Sequence, residues 1–191
     1  MNRKNKEPGV TFKDEILDVL KGTGEIANTL IDSVSRLVIH AAKKAAEIGI
    51  SVIDATADVV RAAMQAACEF GGDLVAVAEA VVVGVLRSSK EVTTETWKII
   101  SGTAASIVKS TAEAAGDVGA AAKGAVQGAI KGAKELGLDV EEAASLAATG
   151  AVKAAYEISA EIGTKVRRAV TGTISGIKVV IKEPFKPEKK K

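Results

Sequence analysis

Apolar and charged positions along this chain recur every 22 residues. Cut into blocks starting at Asp18, His40, Ala62, Gly84, Ser106, Gly128, Gly150 and Gly172, the sequence has glutamate at the eighth position of the first seven: Glu25, Glu47, Glu69, Glu91, Glu113, Glu135 and Glu157. Four residues earlier stand Lys21, Lys43, Gln65, Arg87, Lys109, Lys131 and Lys153, basic in six blocks of seven. The third position is always apolar (Leu20, Ala42, Met64, Leu86, Val108, Ile130, Val152), and the thirteenth reads Leu30, Val52, Leu74, Thr96, Val118, Val140 and Ile162. Position twelve, just before it, is Thr29, Ser51, Asp73, Glu95, Asp117, Asp139 and Glu161. Columns that stay in register over seven blocks define an internal repeat. The eighth block keeps the opening, Gly172-Thr173-Ile174-Ser175, but has Val179 where the others carry glutamate, as a terminal unit would.

Twenty-two residues make six helical turns of about 3.67 residues, an 11-residue periodicity. On such a helix the charged columns four, eight, twelve and fifteen fall within roughly 65° of one another, and the apolar columns fill a stripe about 130° wide nearly opposite. Each block is therefore an amphipathic helix. Lys and Glu at i and i+4 add only a few tenths of a kcal/mol, in the less favourable Lys-first order, so the apolar stripe must fix the structure and something must cover it. The stripe is led by Leu20, Leu30, Val52, Met64, Leu74, Leu86, Val108, Val118, Ile130, Val140, Val152 and Ile162. The charged row comprises Lys21, Glu25, Lys43, Glu47, Glu69, Arg87, Glu91, Lys109, Glu113, Lys131, Glu135, Lys153 and Glu157, read as pairs within each helix.

Positions ten to fifteen hold turn signals. Glu135-Leu136-Gly137-Leu138-Asp139-Val140-Glu141-Glu142 reads as a helix ending at a left-handed glycine and a new one opening on an Asp cap. Ile48-Gly49-Ile50-Ser51 follows the same grammar, Phe70-Gly71-Gly72-Asp73 its first half, and Ala27-Asn28-Thr29-Leu30 the cap without the glycine. The expected fold is all-α: amphipathic helices of about 18 residues, each about 27 Å long, in an up-down bundle or solenoid-like array. The alternative is fewer long continuous helices, since the apolar phase runs through the turns without a slip. Residues 1–17 are expected to form a basic and polar segment, 18–181 the repeat domain, and 182–191 a disordered lysine-rich tail.

Composition narrows the picture further. Of 191 residues 47% are hydrophobic and 3% aromatic, so any interior is built from small and branched side chains. The formal net charge is +2, with +1 on residues 1–17, +3 on residues 182–191 and −2 between them. A body so nearly balanced, with almost no aromatic side chains to stack on bases, argues against a nucleic-acid partner. The most apolar stretch, Leu74 to Leu86, contains Glu79 and is shorter than the roughly 18–20 residues a membrane span needs. No signal peptide is evident behind the basic start, and the single cysteine points to a reducing compartment, the cytoplasm by default.

Candidate chemistry is sparse. One histidine (His40) and one cysteine (Cys68) do not make a metal cage, and neither belongs to a repeating column. No catalytic residue, cofactor or metal is expected. Gly124, Gly128 and Gly132, spaced by four, let helix backbones approach closely. Stretches such as Gly124-Ala125-Val126-Gln127-Gly128-Ala129-Ile130-Lys131-Gly132-Ala133-Lys134-Glu135 resemble the amphipathic repeats of apolipoproteins, perilipins and synucleins. That resemblance implies helices lying on a lipid or droplet surface, without enzymatic activity, although no proline punctuates the blocks and the stripe is richer in Val and Ile. Two functions follow from the pattern: a structural protein that self-associates, coats a lipid or hydrophobic surface through its stripe, or does both; and a soluble self-assembling scaffold with no lipid role. The expected partners are further copies of the chain and a lipid or membrane surface. An enzyme is the third reading, because no acid, base or nucleophile stands apart from the repeat.

Overall fold

In four of the repeat's turns, position twelve caps the start of a helix and position ten ends the one before; α8 instead opens on Ser159 at position ten. In the computed structural model, which describes residues 12–21, 26–92 and 95–182, the Ser51 hydroxyl accepts the Ile53 amide and Asp73 accepts those of Val75 and Ala76. Asp117 likewise accepts from Gly119 and Ala120, and Asp139 from Glu142. Each such cap satisfies an orphan amide and is worth about 1 kcal/mol. At position ten Gly49, Gly71 and Gly137 turn left-handed, with φ of 74°, 72° and 68°, which ends the helix without a Cβ penalty. Ala115 occupies the same position with φ 55° and carries that penalty.

The helices that result are α3 (Val52–Phe70), α4 (Leu74–Val92), α5 (Thr96–Glu113), α6 (Val118–Leu136) and α7 (Val140–Ile158), whose first residues lie 22 apart. They are flanked by α1 (Phe12–Lys21), α2 (Ile26–Ile48) and α8 (Ala160–Val170), and the strands β1 (Gly172–Ile174) and β2 (Ile177–Val179) pair antiparallel after them. The fold is all-α with separate helices, not long continuous rods.

The two ends of the chain depart from the repeat. The cap expected at Thr29 does not form: α2 runs without interruption from Ile26 to Ile48, because no position-ten glycine interrupts it there. α1 starts at Phe12, inside the segment assigned to a polar N-terminus, since Phe12, Ile16, Leu17 and Leu20 give it an apolar face of its own. The eighth block is a β-hairpin in place of a helix. Its β-branched Thr173, Ile174, Ile177 and Val179 flank a Ser175-Gly176 turn in which both residues have positive φ, 49° and 81°, the geometry of a tight hairpin turn. Lys182, placed in the tail, is held in position: its amide donates to Thr149 Oγ1 at 3.0 Å and its ammonium to the Glu142 carboxylate at 2.6 Å. The rest of the expected tail, 183–191, lies outside the described residues.

Short turns make successive helices antiparallel, and α1 to α7 pack most heavily on the helices two before or two after them, while α8 packs on both α7 and α6. This builds two layers, α1-α3-α5-α7 and α2-α4-α6-α8, stacked face to face as a solenoid-like array. The hairpin closes one end, laying Ile174 and Val179 against α6 and α7. Within layers the helices approach closely: a Cβ on Gly124 of α6 would lie 2.3 Å from the Val75 carbonyl oxygen of α4, and one on Gly128 2.6 Å from that of Glu79. Alanine dominates the seams, with 21 buried alanines and no buried aromatic residue among the described residues. Most buried hydroxyls are satisfied inside their own helices, as with Ser88 to the Val85 carbonyl and Thr111 to that of Ile107, both at 2.7 Å.

Candidate functional site

The stripe lies inside the array. Position-three residues Leu20, Met64, Leu86, Val108, Ile130 and Val152 are buried, all between 0% and 4% exposed, and Leu30 and Val118 of position thirteen are buried too. Leu74, Val140 and Ile162 are partly buried against the same core, and Val52, at the start of α3, is half-buried. In α3 to α7 position three falls inside the helix, whereas position thirteen is its first residue, which leaves Val52, Leu74 and Val140 less covered.

The charged row is not one row, and its partners are not those four residues away. Helices two apart are neighbours in one layer, so a base at position four meets the glutamate at position eight two blocks later. Arg87 of α4 thus bridges Glu135 of α6 at 2.9 Å, and Lys109 of α5 bridges Glu157 of α7 at 2.7 Å. Arg87 also reaches back to Asp32 of α2 at 3.3 Å, Lys131 joins Glu79 at 3.0 Å, and Lys13 of α1 joins Glu69 of α3 at 2.5 Å. The row therefore divides into two interhelical ladders, one per layer. The i,i+4 pairing loses because the Lys-first order is the weaker one and a parallel neighbour offers a better-placed carboxylate. Lys21, Lys43, Glu47, Glu113 and Lys153 form no ion pair among the described residues. Glu25 lies outside the described residues, as does the side chain of Glu91.

Electrostatic perturbation is confined to structural contacts. Hydrogen bonding to Glu135 pushes the Arg87 pKa up. The hydrogen bond from Lys165, then the backbone amide of Ala120, holds the Asp117 carboxyl below its ordinary range. Burial, with the Glu69 charge beside it, pushes the Cys68 thiol up, away from an activated thiolate. His40 is exposed on α2. Among the described residues no three His, Cys, Asp or Glu side chains are grouped to hold a metal, and no helix is long and apolar enough to cross a membrane.

Sequence reasoning missed large apolar side chains exposed at the α2–α3 turn and at the starts of α3 and α5. Ile48 is 69% exposed, Ile50 51%, Ile53 36% and Trp97 39%. Ile53 and Trp97 hold the same repeat position two blocks apart, but helices of one layer meet at residues about 48 apart, so Ile53 faces Gly102 on α5 and not Trp97. At Ile53 a groove of about 160 Å³ opens between α3 and α5, walled by Ile53, Ala57 and Ile99. It exists because α5 has no close approach to α3: a Cβ on Gly102 would meet only Ile53 Cγ2, at 3.9 Å. No family model matches the chain, and no curated protein matches it.

Proposed function

We propose that the chain is a non-enzymatic, self-associating helical-repeat scaffold, cytoplasmic, whose repeated stripe holds its own layers together and whose outer surfaces make contacts with further copies. The observation that supports this most is the burial of the stripe: a side of each helix that could have met lipid is covered by helices of the same chain. A raised Cys68 thiol and an exposed His40 outside every repeating column support the non-enzymatic part. Light scattering with circular dichroism in lipid-free buffer tests the reading. It predicts a helical protein of defined mass above the 19.5 kDa monomer; a disordered monomer refutes it.

A second reading, a coat on a lipid or hydrophobic particle, draws on the alanine seams. Alanine buries little area per residue, so opening the layers onto an apolar surface costs less than opening a core of larger side chains. Flotation with neutral and anionic liposomes separates the two: bound, helical protein supports the coat, and unbound protein that is fully helical in buffer supports the scaffold.

A further inference from the structure

We propose that the groove between α3 and α5 binds a small aliphatic ammonium ion, with its charge on Asp54, its chain against Ile53 and Ile99, and an N–H on the Thr103 hydroxyl. The site lies within one chain and stands apart from the self-association reading. The seam that holds it is built differently from its neighbours. Between α2 and α4, α4 and α6, and α5 and α7, a glycine lies against the facing backbone. A Cβ on Gly84, Gly124 or Gly150 would come within 2.7, 2.3 and 2.3 Å of the carbonyl oxygens of Ile31, Val75 and Ser101. Between α3 and α5 the glycine is Gly102, and the Ile53 side chain lies over it, 3.9 Å from where a Cβ would be. The isoleucine props the two helices apart and leaves about 160 Å³, room for about five heavy atoms at the roughly 30 Å³ that a water takes in the liquid.

Hydrogen bonding and charge identify the occupant. Eight hydroxyl side chains are buried among the described residues. Thr56, Ser88, Ser89, Ser110 and Thr111 donate to carbonyls of their own helices, and Ser33 accepts from Arg36. Thr103 and Ser145 make no hydrogen bond, and Thr103 lines the groove. Thr103 is 4% exposed, and its oxygen is reachable rather than sealed in, so the hydroxyl opens onto the groove and not onto the carbonyl one turn back that a helical threonine commonly takes. A buried hydroxyl left open in this way calls for a polar partner. Water would serve it but would leave the walls of Ile53, Ala57 and Ile99 wet, whereas an aliphatic chain covers them. Asp54, exposed and without an ion pair, is the one charged side chain among the described residues of the lining. With no base beside it, the groove repels anions and attracts a cation. A primary ammonium carries three N–H donors, which suits a carboxylate and the hydroxyls of Thr103 and Ser106, the second of which also makes no hydrogen bond.

Saturation-transfer difference NMR on the full chain at pH 7, which reads weak binding whatever the size of the assembly, tests the site with n-butylammonium chloride. Saturable binding in the millimolar range is expected for so few atoms. It should be at least tenfold tighter than for methylammonium, which lacks the chain, and than for butyrate, which reverses the charge. Asp54→Asn should weaken butylammonium binding at least tenfold and Thr103→Val about threefold, with helicity checked by circular dichroism. Because Thr103 makes no hydrogen bond within the protein, Thr103→Val should leave the urea midpoint unchanged or raise it. A lowered midpoint would mean that the hydroxyl is bonded inside the chain and overturns its part in the site. Absence of a saturable butylammonium signal, equal binding of butyrate, or full affinity in Asp54→Asn each overturns the proposal, and none of them bears on whether the chain self-associates.

Discussion

Replacing Gly124 with alanine tests the close approach of α4 and α6, and the opposite outcome at Gly102 controls for helix propensity. At Gly124 the new methyl group would sit 2.3 Å from the Val75 carbonyl oxygen and 2.9 Å from both Val75 Cα and Ala78 Cβ. Two of these three atoms are backbone and none belongs to a flexible side chain, so relief requires the helices to part by roughly 1 Å, loosening the seam along its length. Overpacking of this kind costs about 3 kcal/mol at the upper end of its usual range. The gain in helix propensity of alanine over glycine returns about 1 kcal/mol, leaving a net loss of about 2 kcal/mol. At Gly102 the nearest atom is 3.9 Å away, so alanine meets no obstacle and keeps the propensity gain. Urea unfolding followed at 222 nm should place the Gly124→Ala midpoint about 1 M below wild type and the Gly102→Ala midpoint above it. If both variants shift in the same direction, the proximity of α4 to α6 does not decide their stability and the layer packing is wrong.

Three further outcomes follow from the repeat. Ala115→Gly should stabilise by about 1 kcal/mol in the same unfolding assay, since Ala115 holds a left-handed backbone where the equivalent residues are glycine; an unchanged or lower midpoint contradicts this. A double-mutant cycle on Arg87 and Glu135 should give a coupling of about 0.5 kcal/mol that fades in high salt, while one on Lys131 and Glu135 should give none; equal couplings would restore the intrahelical reading of the charged row. Asp117 has a depressed folded pKa, so its contribution is present above its ordinary value of 3.8 and is lost as pH falls through the lower folded value. Asp117→Asn should therefore flatten the acid limb of stability against pH below about 4 and lower stability at pH 7, by a small amount because the pair is exposed; an unaltered acid limb would refute the role of Lys165.

The interior was legible in the sequence because the third repeat position is unconditionally apolar: Met64, Leu86, Val108, Ile130 and Val152 all became core. The turns were legible where glycine stood at position ten and a capping oxygen at position twelve, as at Gly137 and Asp139. They were not where one of the two was missing, and Thr29 without its glycine lies inside α2. Partners of the charged columns escaped because a single-helix reading sees only residues four apart, whereas the layer brings together residues 48 apart, as in Arg87–Glu135. The terminal hairpin escaped for a different reason. Block register suggested one more helix at Gly172, but alternating β-branched residues around Ser175-Gly176 and packing on α6 and α7 overrode it. The α3–α5 groove was invisible because Ile53 and Ile99 read as ordinary members of amphipathic helices until α3 and α5 were packed together.

Amide hydrogen exchange on the full chain in lipid-free buffer tests most directly whether the stripe is covered by the chain itself. Burial of Met64, Leu86, Val108, Ile130 and Val152 between two layers predicts strong, cooperative protection through α3 to α7 with no lipid present. Exchange at unprotected rates along those helices, with protection gained only on adding vesicles, would contradict it.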